Sequence, residues 1–266
     1  MTHNIEFECR DRTAWITLNR PNAKNAVTAE MMDDLLGMLS GLADDPKVRV
    51  VVLRGKGSDL CTGADVGAMA AMLRLSPEER TGRFHRTIDE RIVPLLQAFR
   101  RLSQPIVASV RGYAIGIGVQ FALLSDLIVA SETAQFILPK IRLAHTLDHG
   151  ESWLLPRRIG LSKATQLCLL GEAMNAVDAE RFGLTNWTTT DEALEKETEK
   201  LVARLLRGAP DALRRTKALL GVSENNSLER QLEAERTHVG FGAASDNFIE
   251  ALRAFNEKRA PSFSGI

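Results

Sequence analysis

Two runs of β-branched and aliphatic residues, Val48 to Leu53 and Pro105 to Val110, constrain this chain more than any other feature. Neither alternates apolar with polar residues as a half-exposed strand would. Each therefore predicts a strand covered on both faces, the setting of a parallel sheet. Leu127 to Ala130 is a shorter run of the same kind, and Ala14 to Leu18 reads as a further strand. Helical patterns lie between them, including an amphipathic stretch through Leu42 for which Thr28 is a candidate N-cap. Strands separated by helices imply stacked βα crossovers with helices covering the sheet. The expected class is α/β.

Beyond about residue 190 the strand patterns stop. Residues 191–207, 211–220, 228–240 and 247–258 read as successive amphipathic helices. A length of 266 residues admits two domains or one large α/β unit. The expected division is a core over 1–190 and a helical region over 191–266, which packs on the core or on another subunit.

Charge narrows the partners. With 34 Lys+Arg against 34 Asp+Glu, the chain lacks the basic excess of a nucleic-acid or membrane-surface binder. Neither partner is expected, and any anionic ligand must be met by local cations. Cys9, Cys61 and Cys168 show no disulfide or metal spacing, and the first residues lack a signal-peptide pattern, so a cytoplasmic location is expected. Tyr113 to Ala130 is apolar enough to touch the lower length of a membrane span. Gly116, Gly118 and Asp126 favour a buried turn, helix and strand instead.

Candidate chemistry sits at two glycine-containing turns that follow the buried strands. One runs from Gly55 through Gly63, Ala64 and Asp65 to Val66, and the other from Arg111 to Gly118. Such turns let the backbone approach a ligand, and one amide from each, aimed at a single carbonyl oxygen, would form an oxyanion hole. The plainer alternative is that the glycines only permit tight turns. A dinucleotide site is poorly supported, because Phe121 stands where the third glycine of the fingerprint belongs.

The motifs together resemble the enoyl-CoA hydratase/isomerase (crotonase) superfamily. The similarity is carried by Asn19-Arg20-Pro21, Asn25-Ala26-Val27, Cys61 to Val66, Gly112 to Gly118, Ala134-Gln135-Phe136, Ser152 to Arg157 and Gly171 to Leu184. It implies a crotonase-type spiral of ββα units with a C-terminal α-helical region used in assembly as a homotrimer or a dimer of trimers. It also implies an acyl-CoA substrate, with coenzyme A present only as part of the thioester and no separate cofactor. The resemblance sets the oxyanion donors at the amides of Ala64 and Ile117, flanked by Gly63 and Gly116. Lys24, Ala26, Asp65 and Val66 fall in segments that line coenzyme A, and Lys258 and Arg259 are further candidates for its phosphates.

The acids are where the chain departs from that pattern. The two hydratase glutamates correspond to Gln120 and Lys140, both placed in the substrate pocket. Gln cannot titrate, and Lys serves as a base only when burial depresses its pKa. Asp148 occupies a position where some isomerases and a dehalogenase of the superfamily carry a catalytic aspartate. Double-bond isomerisation through Asp148 is thus the expected reaction. The cluster His145, Asp148, His149 and Glu151 leaves open a rebuilt hydratase or hydrolase, with His145 or Glu151 as a second acid/base. The lost glutamates also leave open a silent CoA-binding protein. Asp148-His149-Gly150-Glu151 equally spells a capping box before a helix from Ser152, in which Asp148 only caps. No metal is expected, since nothing in the spacing enforces ligand geometry.

Overall fold

The computed structural model describes residues 4–43, 45–65, 67 and 70–264. Among these, nine strands form two sheets. The larger one contains β1 (Ile5–Arg10), β2 (Thr13–Leu18), β3 (Val50–Gly55), β4 (Ile106–Val110), β6 (Leu127–Ser131) and β9 (Trp187–Thr189), side by side in that order. Only the β1–β2 hairpin is antiparallel. The smaller sheet holds β5 (Tyr113–Ile115), β7 (Gln135–Ile137) and β8 (Ala173–Asn175).

The run at 105–110 is buried at every strand position, as its lack of alternation predicts. The reason is visible in the packing. One face of the large sheet meets α1 (Ala29–Ala43), α3 (Val93–Arg101) and α4 (Ile117–Leu123), with Leu35, Leu39, Phe99 and Phe121 deep in the main core. The other face supports a second core, in which Trp15, Val50, Val52, Val107 and Val129 pack against Leu194, Leu201 and Val202. Those last three belong to α8 (Leu194–Leu206), so the first tail helix is a cover for the sheet.

Successive chain segments repeat one plan: a strand in the large sheet, a short strand segment in the smaller layer, then a helix. β4 is followed by β5 and α4, and β6 by β7. After β3 the chain makes single bridges, Cys61 to Ala114 and Ala64 to Val27, that extend the smaller layer. The apolar stretch 113–130 is accordingly a strand, a turn, a helix and a strand. No helix among the described residues is long and apolar enough to cross a membrane.

Thr28 caps α1, its Oγ1 accepting from Met31 N at 3.2 Å. Helix α2 (Pro77–Thr87) opens with a full capping box between Ser76 and Glu79 and continues into a π-helical turn, Ile88–Ile92, before α3. His85 and Asp89 on this segment are both exposed. The three last helices, α9 (Pro210–Ser223), α10 (Leu228–Ala243) and α11 (Asp246–Asn256), bury little. Leu228, Leu232 and Val239 line one face of α10, and Phe248, Leu252 and Phe255 one face of α11, all exposed.

Candidate active site

Backbone register brings the two glycine turns together. Cys61 pairs in parallel with Ala114, and Ile115 N donates to Cys61 O at 2.9 Å. Ala64 and Ile117 each lie three residues beyond that pair, so both chains arrive at the same edge. Neither amide donates a hydrogen bond to an acceptor among the described residues. Close contact makes a glycine obligatory at 118, where a Cβ would stand 2.5 Å from Cys61 O. At Gly116 the demand is conformational: φ is +53°, while a Cβ would meet nothing within 4 Å. Cys61 itself is no nucleophile, since burial pushes its thiol up to about 12.

The loop before this turn is held by Arg20, whose guanidinium donates to Ala26 O at 2.6 Å and to Asp65 Oδ2 at 2.9 Å. The hydrogen bond from Arg20, then that from Gly67 N, holds the Asp65 carboxyl below its usual range. Lys24 is exposed, and its Nζ lies 5.1 Å from the centre of the Tyr113 ring. Tyr113 is itself exposed, with this cation over its ring. Val66 lies outside the described residues. Arg259 is committed to Glu250 through two hydrogen bonds, at 2.6 and 2.9 Å, and to Glu257 at 2.6 Å. Its hydrogen bonds hold Glu250 down to about 2. Lys258 next to it is exposed.

The acid/base cluster forms where the loop after β7 meets the N-terminus of α5 (Glu151–Ile159). The capping alternative for Asp148 fails here. The N-cap is Gly150, no side chain caps the helix, and the helix starts at Glu151 rather than Ser152. Asp148 instead turns toward the chain eight residues upstream. Its Oδ1 accepts from Lys140 Nζ and lies 2.5 Å from His149 Nδ1, while Oδ2 is 3.2 Å from His145 Nε2 without hydrogen-bond alignment. Phe84 of α2 stacks tilted over the His145 ring with centroids 4.6 Å apart. Burial alone would raise the Asp148 carboxyl. The hydrogen bond and charge of His149, then those of Lys140, outweigh it and hold the group well below the carboxylate range.

Two fully buried side chains complete the cluster. Glu151 accepts from His149 N at 2.8 Å through Oε2, while Oε1 has no hydrogen-bond partner and lies 3.7 Å from His149 Nδ1. Gln120, one turn into α4 from Ile117, has neither amide atom partnered. A Cβ on Gly150 would lie 3.7 Å from Gln120 Nε2, which fixes the 148–151 turn against the helix that begins at Ile117. Asp148, His149 and Glu151 present one ligand atom each within 4.8 Å of one another. Lys140 already holds a positive charge against Asp148 and 3.2 Å from His149 Nδ1, where a metal would have to sit.

The bridged glycine turns and the buried cluster of Lys140, Asp148, His149 and Glu151 lie in a chain whose sequence matches a known group of enzymes. The sequence model for enoyl-CoA hydratase/isomerase matches residues 8–265. This chain belongs to the enoyl-CoA hydratase/isomerase family. It is 34% identical to a probable enoyl-CoA hydratase of Rhodobacter capsulatus, over 99% of this chain and 98% of that one. It is 30% identical to the 1,2-epoxyphenylacetyl-CoA isomerase of Escherichia coli, over 94% of each. The crystal structure of enoyl-CoA hydratase from Bacillus anthracis superposes with a TM-score of 0.90 at 26% identity, covering 99% of this chain and all of that one. The fold is thus the crotonase spiral, and the protein is an acyl-CoA-processing enzyme of the hydratase/isomerase type.

Within this family frame, His149 is the residue that sequence reasoning placed in the cluster but left out of its catalytic set. The signal was adjacency to Asp148. Neighbours in a chain usually point apart, yet here the ring nitrogen Nδ1 lies 2.5 Å from the carboxylate of the preceding residue.

Proposed function

We propose that this enzyme moves a carbon–carbon double bond in an enoyl-CoA thioester. The amides of Ala64 and Ile117 grip the thioester oxygen and stabilise the enolate that forms when a proton leaves the acyl chain. The Asp148–His149 pair handles that proton. Lys24, Ala26, Asp65 and Val66 hold the coenzyme A end. What carries this reading is the orientation of Asp148: its carboxylate is spent on Lys140 and His149 and not on capping α5. One proton carrier is enough to take a proton from one carbon and return it two carbons away. Incubation with 3-enoyl-CoA, followed by the ultraviolet absorbance of the conjugated thioester, tests the reading. Conversion is expected; tight binding of CoA thioesters without turnover of 3-enoyl or 2-enoyl substrates would make the protein a silent binder.

Hydration, or hydrolysis through the same cluster, is the second reading. It is favoured by the unpartnered buried groups of Gln120 and Glu151, which suit a held water, and by the hydratase name of the Rhodobacter relative. Release of 3-hydroxyacyl-CoA from 2-enoyl-CoA, or of free CoA, would identify it. The exposed apolar faces of α10 and α11 support self-association, and from the family resemblance we propose a homotrimer or a dimer of trimers.

A further inference from the structure

We propose that Nε2 of His149 is the atom that carries the proton in this site, and that Asp148 is a positioning residue acting through the ring. The inference rests on the isomerase reading and assigns its chemistry to an atom.

Geometry points to one tautomer. Asp148 Oδ1 lies 2.5 Å from His149 Nδ1, a separation that two lone pairs cannot share, and Lys140 Nζ lies 3.2 Å from the same nitrogen; we assign the ring proton to Nδ1, facing Asp148, because the opposite tautomer would set a lone pair against the carboxylate. Among the described residues, the charged groups in contact with the ring crowd this one edge: Asp148 at 2.5 Å, Lys140 Nζ at 3.2 Å and Glu151 Oε1 at 3.7 Å. His145 faces the other oxygen of Asp148. The opposite nitrogen, Nε2, has no hydrogen-bond partner among the described residues and is not among their sealed buried atoms. A ring fixed by a carboxylate at one nitrogen and open at the other is the arrangement that makes imidazole a directed base.

Asp148 is badly placed to do this work itself. One oxygen is shared between an ammonium and an imidazole, the other faces His145, and a carboxylate so stabilised is a weak base. Held where it is, it offsets the charge of the imidazolium that forms. Lys140 locks the carboxylate in turn.

The step balances without any co-reactant. The C2–H bond of a 3-enoyl-CoA breaks, its proton bonds to Nε2, and its electron pair moves into the thioester as a dienolate held by the two amides. The imidazolium then returns the proton to C4. The electron pair closes a C2–C3 double bond, and the ring is neutral again.

The test uses the full-length enzyme and two readouts. Exchange of acyl-CoA C2 protons in D2O, followed by NMR, reports the proton carrier; conversion of 3-enoyl-CoA reports isomerisation. His149→Asn keeps a donor for Asp148 and removes the base, and it is expected to lose 10²–10⁴-fold in exchange while still binding CoA thioesters. His149→Ala is expected to lose as much and to regain part of it when free imidazole is added. Asp148→Asn is expected to lose less and to gain nothing from imidazole. Exchange within threefold of wild type in His149→Asn would overturn the assignment, as would imidazole failing to rescue a folded His149→Ala, or a wild type that exchanges no C2 proton. A wild type that exchanges C2 protons but converts no 3-enoyl-CoA would sink the isomerase reading and leave His149 as the carrier.

Discussion

Asp148 Oδ1 is held from two sides, by the Lys140 ammonium and by His149 Nδ1 at 2.5 Å, in a pocket that leaves these side chains almost out of solvent. Two nitrogen-bearing side chains therefore meet on a single oxygen atom.

Removing Lys140 should expose that dependence. Lys140→Met leaves a buried carboxylate short of its ammonium, and breaking a buried pair from one side costs about 3–5 kcal/mol. Urea unfolding of the variant against wild type measures it. A loss below about 1 kcal/mol would show that His149 alone balances Asp148.

Acid should erase the contribution of Asp148. Its carboxyl is held below the ordinary range in the folded chain, so the unfolded chain binds the proton first as pH falls. The stabilisation is complete above the ordinary carboxylate value of about 4 and fades below it. The difference in unfolding free energy between wild type and Asp148→Asn should thus shrink as pH falls below about 4. Denaturant melts across that range would reveal a different trend if another group dominates.

Gly118→Ala should misplace the oxyanion donors. The added Cβ would stand 2.5 Å from Cys61 O and 3.0 Å from Cys61 Cβ, so the strand leading to Ala64 must shift. Loss of one aligned donor costs roughly 10²–10³ in kcat. Steady-state kinetics should show that loss with KM much less affected.

Arg20→Lys should weaken coenzyme A binding more than turnover. Both acceptors, Ala26 O and Asp65 Oδ2, are held by one nitrogen, Nη1, and a lysine side chain is one bond shorter and ends in a more strongly hydrated ammonium. A rise in KM of about tenfold at nearly constant kcat is expected from the weakened hydrogen bonds. An unchanged KM would remove the loop from the binding surface.

Charges on the last helix should break assembly. Leu252→Glu with Phe255→Glu puts two carboxylates on the exposed apolar face of α11. Light scattering after size exclusion is expected to give a monomer with unchanged helical circular dichroism. An undisturbed oligomer would move the interface elsewhere.

The sheet was legible in the sequence because burial on both faces leaves an unbroken apolar run. Val50 to Leu53 and Ile106 to Val110 carry it, and Thr28 marked the start of α1 by a local rule that the structure obeys. Asp148 was ambiguous for the opposite reason. An acid three residues before a glutamate reads the same whether it caps its own helix or turns toward a lysine eight positions back, and only long-range packing separates the two. The role of α8 in sealing the far face of the sheet was hidden likewise, since an amphipathic pattern does not name its partner.

The parallel bridge between Cys61 and Ala114 has a consequence for how this site tolerates change. Ala64 and Ile117 are aligned by counting, three residues beyond one parallel bridge on each of its two segments. Side chains nearby can be exchanged without disturbing that count, whereas a single inserted or deleted residue in either loop would throw the amides out of step. Spacing is what heredity must protect here, together with the glycine at 118.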